Sequence, residues 1–355
     1  MHCEKEIAGI AKPKRNYLDV KITYACNFKC EYCYQFDEFG RRPVGVLSKK
    51  HAEALLKFLD RLGEPYSVTL AGGEPFVYPH LDFLVENLAR RGHEINIITN
   101  FSAPIDRIKR FISLAGNSLS SFSTSVHLSQ WDDIGKYHEK LGQLVEFRRE
   151  SGLKFSILPT CVLTEENAER VKELYYAIGK TELSLEVQRV YYGGQYATYP
   201  KHIDEFFADK GLDVPDDVAN KVNFFGNKCW CGSKFFYIES DGQIRRCYTH
   251  QSNSKTYELG SLDDVDGITV LPGPIPCLSD DKISPCVCFK HFQRQAFLSD
   301  IKAEDAEIEF WNKYMRENPE PEGENTPHAE EKAPEQAKRG IIPSLWGKIF
   351  KSKRK

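Results

Sequence analysis

The pattern that most constrains the fold is a regular alternation of extended and amphipathic helical segments between residues 17 and 190. Apolar residues recur every second position in the extended segments and every third or fourth position in the helical ones. The predicted strands are residues 17–24, 67–70, 94–99, 120–127, 153–162 and 183–190. Strands that alternate with helices pair in parallel through right-handed crossovers. The sequence therefore predicts a barrel-like α/β fold with its chemistry in the loops at the carboxyl ends of the strands.

Composition and charge exclude several functional classes. The 355 residues include 41% hydrophobic and 28% charged residues, which are values of an ordinary globular protein. The net charge of −3 gives no bias toward nucleic acid, so no nucleic-acid partner is expected. No apolar run is long enough to span a membrane, and the first residues lack the apolar stretch of a signal peptide. These features favour a cytoplasmic protein.

The cysteines indicate metal or cluster chemistry. Eleven cysteines are many for a chain in a reducing compartment, where ligation is favoured over disulfides. Cys26, Cys30 and Cys33 directly follow the first predicted strand. A structural zinc site normally closes with four ligands, whereas three thiolates can hold a cubane iron–sulfur cluster and leave one iron open. A zinc loop or a chance cluster is the alternative.

At these cysteines the chain resembles the radical S-adenosylmethionine (SAM) superfamily, whose signature is this Cys-x3-Cys-x2-Cys spacing with an aromatic residue, here Tyr32, before the third cysteine. The resemblance implies a partial (β/α)6 TIM-like barrel and a [4Fe–4S] cluster whose open iron is chelated by SAM. One electron then splits the sulfur–C5′ bond, and the 5′-deoxyadenosyl radical abstracts hydrogen from a substrate carbon. The resemblance thus implies an oxidoreductase or maturase, with a reducing partner such as flavodoxin or ferredoxin.

Further elements of that family follow in the expected order. Gly72, Gly73 and Glu74 resemble its Gly-Gly-Glu segment, where a carboxylate or a carbonyl can accept a hydrogen bond from the methionine ammonium. The other residues that the resemblance suggests as contacts to SAM are Tyr32, Thr99, Asn100, Ser125, and Gln188 or Arg189. A plain turn or a solvated strand end is the alternative at these positions. His127 is a candidate acid or base, with a structural histidine as its alternative, and no catalytic residue is assigned.

A second group of six cysteines lies between residues 229 and 288, around a predicted hairpin of residues 235–239 and 243–247. This order resembles the SPASM or shorter Twitch extensions of the family, which hold auxiliary [4Fe–4S] clusters. The ligands implied by the resemblance are Cys229 or Cys231, then Cys247, and then Cys286 or Cys288. The full SPASM arrangement has seven cysteines and a Cys-x2-Cys-x5-Cys run that this chain lacks. We therefore expect one auxiliary cluster, with a zinc ribbon as the alternative.

The chain divides into five predicted parts. They are a core barrel at 16–190, a linker region at 191–224, an auxiliary cluster domain at 225–300, a disordered Pro/Glu-rich linker at 317–340 and a basic amphipathic helix at 341–355. A last helix of the folded part is predicted at about 289–316. The basic helix is typical of an element that docks on a membrane surface or a partner protein. Self-packing or disorder is its alternative, and membrane docking would make the protein peripheral.

The resemblance leaves two classes of substrate possible. One is a peptide or protein that is modified after synthesis, and the other is a small metabolite, such as a sugar or nucleoside, that is dehydrogenated. An auxiliary cluster suits an oxidation or a cross-link. The barrel begins near the first residue, which we expect to leave no room for a leader-peptide domain and which weakens the peptide hypothesis. A non-catalytic iron–sulfur scaffold or sensor is a third hypothesis, but it needs no Gly-Gly-Glu segment.

Overall fold

The computed structural model describes residues 15–33, 35, 45–131, 133–192, 195–210, 225–247, 258–278 and 298–317. The side chains of residues 191–196, 298–301 and 315–317 are not described. The predicted basic helix, and the predicted disordered linker apart from its first residue, therefore lie outside the described part of the chain. Among the described residues, no helix has the length and apolar character needed to cross a membrane.

Parallel strands and helices alternate from residue 16 to residue 189. The strands are β1 (Asn16–Thr23), β2 (Tyr66–Gly72), β3 (Glu94–Thr99), β4 (Leu119–Val126), β5 (Ser156–Leu163) and β6 (Glu186–Arg189). The helices are α1 (Lys49–Leu62), α2 (Leu81–Arg90), α3 (Ile105–Ala115), α4 (Ile134–Ser151) and α5 (Ala168–Ile178). The strands pair in numerical order, and each pair is parallel. The predicted α/β class and partial TIM-like barrel are confirmed.

Helix α1 shows how local sequence sets the ends of these elements. The Ser48 side chain accepts a hydrogen bond from the His51 amide at the N-terminus, which satisfies one of the free amides of the first turn. Gly63 ends the helix in the left-handed conformation at φ 67°, which an L side chain adopts only with strain. Between these residues, Leu55 and Leu59 fall on one face and are buried against the sheet. Capping and apolar spacing therefore agree on the same helix.

The outer face of the sheet is apolar and covered by the helices. Leu18, Val20 and Ile22 alternate along β1 and are fully buried. Phe236 in the C-terminal part packs edge-to-face on Phe58 of α1, with 5.3 Å between ring centroids. Burial of this face by helices is what keeps a mostly parallel sheet stable in water.

The inner face is polar and partly open. Asn96 donates to Ser67 Oγ at 2.9 Å and accepts from Ser121 Oγ at 2.7 Å, so one row of polar side chains crosses three strands. Ile98 and Leu158 share this face and are 38% and 42% exposed. Exposed aliphatic side chains beside satisfied polar groups mark this face as the accessible interior of the partial barrel.

The C-terminal part adds shorter elements. They are β7 (Tyr191–Tyr192), β8 (Gln195–Tyr196), α6 (Lys201–Asp209), β9 (Asn227–Cys229), β10 (Phe235–Ile238), β11 (Gln243–Arg245), β12 (Glu258–Ser261), β13 (Ile275–Pro276), β14 (Leu298–Lys302) and α7 (Asp305–Glu317). Strand β10 pairs in parallel with β1, and β11 and β12 continue the sheet outward from it. The predicted hairpin thus extends the barrel sheet itself.

Two segments differ from what their sequences suggest. The last helix was predicted from about residue 289, but Leu298–Lys302 is a strand that pairs with β9, and helix α7 begins only at Asp305. The prediction of helix was therefore wrong for this strand, because pairing with β9 outweighs local propensity. Within the predicted linker region, Ile203 and Phe207 of α6 are buried in the main core.

Candidate active site

The loop that leaves the carboxyl end of β1 carries the first three cysteines. Cys30 is buried, while Cys26 and Cys33 are partly exposed. The loop is shaped by its own hydrogen bonds, because the Phe28 amide donates to Cys26 Sγ at 3.4 Å and the Cys33 amide donates to the Cys30 carbonyl at 3.2 Å. The thiols therefore stand at the edge of the sheet where parallel α/β folds place their chemistry.

The Gly-Gly-Glu segment is bound directly to this loop. The amides of Gly73 and Glu74 donate to the carbonyls of Thr23 and Ala25, at 2.6 and 2.8 Å. A Cβ atom on Gly73 would lie 2.1 Å from the Ala25 carbonyl oxygen, and Gly72 has a φ of 136°. Both positions therefore require glycine, because the two backbones approach too closely for a side chain.

The carboxylate of Glu74 is directed into the protein. It is fully buried and accepts hydrogen bonds from Thr99 Oγ1 at 2.7 Å, from the Asn100 amide at 2.7 Å and from the Phe76 amide at 3.1 Å. Burial raises the pKa of Glu74, and these donors oppose that effect. Glu74 and Thr99, which the sequence suggested as SAM contacts, thus join the ends of β2 and β3 to each other.

Asn100 connects β3 to the cysteine loop. Its Nδ2 lies 3.7 Å from Cys26 Sγ and 2.9 Å from Asn27 Oδ1, and its Oδ1 accepts from the Ser102 amide at 2.9 Å. Asn27 Nδ2 in turn donates to Ser102 Oγ at 2.9 Å. The structure therefore brings Asn100 to a predicted cluster ligand. No spacing signal in the sequence pointed to Asn27.

Lys140 of α4 holds the loop that follows β3. Its Nζ donates to the carbonyl of Phe101 at 2.7 Å and to the carbonyl of Ala103, and it lies 4.8 Å from the centroid of the Phe101 ring. Phe101 has a φ of 61°, the sole positive value among the non-glycine residues that the structure describes. Burial lowers the pKa of Lys140 to about 8. Sequence patterns missed this residue because a lysine on a helix usually faces solvent.

Tyr32 and His127 form a partly buried pair beside the cysteine loop. Tyr32 OH lies 3.1 Å from His127 Nδ1, and the two rings stack with their centroids 5.8 Å apart. Burial raises the pKa of Tyr32 and lowers that of His127 to about 4. His127 is therefore neutral at physiological pH, and its geometry favours the structural role over that of a proton donor or acceptor poised near neutrality.

The remaining suggested contacts lie on β4 and β6. Strand alternation places Ser125 and Gln188 on the polar inner face, and Gln188 Nε2 donates to Glu186 Oε1 at 3.1 Å. Arg189 faces the other side, where it donates to Asp204 Oδ1 at 2.8 Å. Of the two residues that the sequence left open on β6, the structure favours Gln188 as the one that faces the barrel interior.

The second cysteine group lies on the short strands beyond β10. Cys229 ends β9, Cys231 forms an isolated bridge with Phe235, and Cys247 follows β11. Cys277 follows β13, which pairs with β9 opposite Cys229. The sequence did not select Cys277 as a ligand. The last two cysteines of the implied ligand set, Cys286 and Cys288, lie outside the described residues.

The chemistry of the first site fits a cluster with a bound amino-acid cofactor. In the described part of the chain, no three His, Cys, Asp or Glu side chains converge as ligands of one ion. A cubane cluster, however, binds each thiolate at a different iron and so needs no common centre. Gln35 Nε2 donates to the Gly72 carbonyl, and its buried Oε1 has no hydrogen-bond partner among the described residues. Three thiols, a glycine turn and a buried acceptor therefore suit a [4Fe–4S] cluster and an ammonium group.

The fold is a partial α/β barrel, and a cysteine loop and a glycine turn are hydrogen-bonded to each other at the carboxyl edge of its sheet. These features define a cofactor-dependent barrel enzyme. Residues 20–175 match the family model described as the Radical SAM superfamily. Residues 20–175 therefore belong to the radical SAM superfamily, and the protein is an enzyme that uses a [4Fe–4S] cluster and SAM.

Curated relatives agree with this membership. A tungsten-containing aldehyde ferredoxin oxidoreductase cofactor-modifying protein of Pyrococcus furiosus is 24% identical, covering 69% of this chain and 74% of the relative. A probable GTP 3′,8-cyclase of Saccharolobus solfataricus is 30% identical and covers 39% of this chain and 51% of the relative. A mycofactocin maturase of Mycobacterium tuberculosis is 23% identical and covers 63% and 56%, respectively. The chain thus spans only about half the length of the latter two.

Proposed function

We propose that this enzyme cleaves SAM at a [4Fe–4S] cluster held by Cys26, Cys30 and Cys33, and that its substrate is a peptide or protein. The observation that carries the proposal is the direct bonding of the Gly-Gly-Glu segment to the backbone just before Cys26, through the Gly73 and Glu74 amides. When bound, the cluster and SAM supply a 5′-deoxyadenosyl radical that abstracts hydrogen from the substrate.

The residues of the chain have distinct parts in this proposal. The three thiolates hold the cluster, and Asn100 fixes the position of the Cys26 side chain through its 3.7 Å contact. Gln35 Oε1 accepts from the ammonium group of SAM, since it is a buried acceptor without a partner in the described residues. Ser125 and Gln188 face the same interior and would contact the ribose or the carboxylate. Together these groups orient the cofactor toward the inner face of the sheet.

Two observations support a peptide or protein substrate. One relative is named a maturase. The inner face combines the polar row through Asn96 with exposed Ile98 and Leu158, which suits backbone amides beside an apolar side chain. We further propose that Cys229 or Cys231, Cys247, and Cys286 or Cys288 hold one auxiliary [4Fe–4S] cluster. Such a cluster suits an oxidation or a cross-link, because it can accept an electron from the substrate.

A nucleotide or nucleoside is the second candidate substrate. It is favoured by the relative named as a GTP 3′,8-cyclase and by the hydroxyl-rich inner face. The two candidates differ in a direct test, because GTP is available as a defined probe. If GTP accelerates the release of 5′-deoxyadenosine by the reduced enzyme, the nucleotide candidate gains support over the peptide.

The radical site itself is tested by anaerobic incubation with dithionite and SAM. The unmodified enzyme should bind about eight irons, four for each cluster, and release 5′-deoxyadenosine slowly. Replacing Cys26, Cys30 and Cys33 by alanine should remove about half of the iron and all of the release. Cys161→Ala is the matched control, because this cysteine is buried in the outer core and should retain activity. Equal release by the triple variant and the unmodified enzyme would refute the assignment.

We also propose two interactions that rest on the sequence. A small electron-transfer protein such as flavodoxin or ferredoxin would reduce the cluster. The basic segment 341–355, which lies outside the described residues, would dock on an anionic membrane surface or on a partner protein.

A further inference from the structure

Arg246 lies at the junction of three cysteine-bearing segments. The residue is 2% exposed. Its Nε donates to the Cys231 carbonyl at 2.9 Å, and one terminal nitrogen donates to the Ile275 carbonyl at 3.0 Å. Ile275 is paired with Cys229 across the β13–β9 ladder, and Arg246 directly precedes Cys247 in the chain. One buried side chain therefore ties these segments together.

A guanidinium in this position needs a counter-charge. Arginine stays protonated in proteins, and a buried charge without an opposite charge is strongly unfavourable. Both hydrogen-bond acceptors of Arg246 are neutral carbonyls, and no described carboxylate forms an ion pair with it. Burial disfavours its charge, and the groups that favour this charge are four nearby sulfurs. These sulfurs belong to Cys229, Cys231, Cys247 and Cys277.

We propose that Cys277 is a ligand of the anionic auxiliary iron–sulfur cluster and that Arg246 is the built-in counter-ion of this cluster. This inference rests on the auxiliary cluster proposed above and specifies its ligands and its charge balance. A thiolate-ligated cluster is negatively charged, so it supplies the charge that the carbonyl acceptors do not.

Cys277 and Arg246 are held in place by backbone hydrogen bonds and by close packing. The Cys277 amide donates to the Asn227 carbonyl at 2.8 Å, and the Gly226 amide donates to the Cys277 carbonyl at 2.8 Å. These bonds fix Cys277 beside the strand that carries Cys229. Gly232 has a φ of 86°, and a Cβ atom there would lie 3.2 Å from the Arg246 side chain. The turn after Cys231 thus closes over the arginine.

The counter-ion has a consequence for electron transfer. A cluster that accepts one electron gains one negative charge, and a fixed positive charge beside it stabilises the reduced state. Arg246 therefore raises the reduction potential of the auxiliary cluster. This favours transfer of one electron from a substrate radical to the oxidised cluster, as the proposed oxidation or cross-link requires.

The test uses the full-length chain with Cys26, Cys30 and Cys33 replaced by alanine, so that the remaining iron reports the auxiliary cluster. Arg246→Gln is compared with the control Arg245→Gln, which removes a positive charge from the neighbouring residue. Arg245 Nη1 lies 4.0 Å from Glu239 Oε1. Reduction potentials are measured by anaerobic redox titration followed by electron paramagnetic resonance. We expect a lower potential in Arg246→Gln, a smaller change in Arg245→Gln, and a value near that of the parent in Arg246→Lys.

The ligand assignment is tested in the same background with Cys277→Ser and, as control, Cys161→Ser. Cys277→Ser should lose most of the auxiliary iron, about four atoms per chain, while the control keeps it. Equal potentials in Arg246→Gln and the parent would overturn the counter-ion role, as would loss of iron in both Arg246→Gln and Arg246→Lys. Full iron and an unchanged spectrum in Cys277→Ser would overturn the ligand assignment. A parent that binds no iron would instead refute the auxiliary cluster itself, whereas the radical site is judged separately by SAM cleavage.

Discussion

Replacing Glu74 by glutamine removes one negative charge from the centre of the site and leaves the shape of the side chain nearly unchanged. In the structure, Oε1 of Glu74 accepts from Thr99 Oγ1 and the Phe76 amide, while Oε2 accepts from the Asn100 amide. A glutamine can keep the first two bonds on its oxygen, but its NH2 group then faces the amide of Asn100. One bond to a charged acceptor is therefore lost, and one buried donor is left without an acceptor.

The expected loss follows from these contacts. A hydrogen bond to a charged group contributes about 1.5–3 kcal/mol, and an unsatisfied buried donor costs about 1–3 kcal/mol. Part of this sum is offset, because burial raises the pKa of Glu74 and a neutral amide is easier to bury than a carboxylate. We therefore expect Glu74→Gln to lower the free energy of unfolding by about 2–4 kcal/mol. SAM affinity should fall as well, because Asn100 would move away from Cys26.

Urea denaturation of the cofactor-free protein, followed by circular dichroism, measures the first effect, and calorimetric SAM titration of the reconstituted protein measures the second. The matched control is Glu86→Gln, which breaks an exposed pair with Arg90 on one helix. Such pairs contribute about 0.3–0.5 kcal/mol. The reasoning would be refuted if Glu74→Gln were as stable as this control and bound SAM like the unmodified protein.

Three further predictions follow from other contacts. Gly73→Ala should destabilise the protein by about 1–3 kcal/mol and weaken SAM binding, because the added Cβ would meet the Ala25 carbonyl. The control is Gly142→Ala, whose Cβ would lie in open space on α4 and which should stabilise the protein by about 0.5–1 kcal/mol in the same denaturation assay. Since the pKa of Lys140 is lowered to about 8, unfolding takes up a proton between that pH and the ordinary lysine value of 10.5. Unfolding free energy should therefore rise with pH across this interval in the unmodified protein and rise less in Lys140→Met. Deleting residues 338–355 should abolish salt-sensitive sedimentation with anionic vesicles and leave SAM cleavage unchanged; equal sedimentation of both forms would contradict membrane docking by this segment.

Much of the barrel follows from local sequence alone. Residues 94–99 were predicted as a strand and form β3 with the same bounds, because alternation of apolar residues reports burial of one face directly. The spacing of Cys26, Cys30 and Cys33 after a strand likewise indicated the chemistry, since thiolate number and loop position are both properties of a short segment. These features depend on residues that are close in the chain, and so one sequence suffices to read them.

Other features depend on residues that are far apart in the chain, and only the tertiary structure decided them. No local signal in β10 specifies its pairing with β1, and in the structure this pairing brings Phe236 onto Phe58 of α1. The same applies to Glu74, whose carboxylate could have faced a ligand but instead joins two strand ends. From its position at the end of a strand, Arg246 would be expected to face solvent, yet it lies buried among sulfurs from three segments. Charge, burial and hydrogen-bond partners at such positions are set by which distant segments meet, and the spacing of residues along one chain does not contain that information.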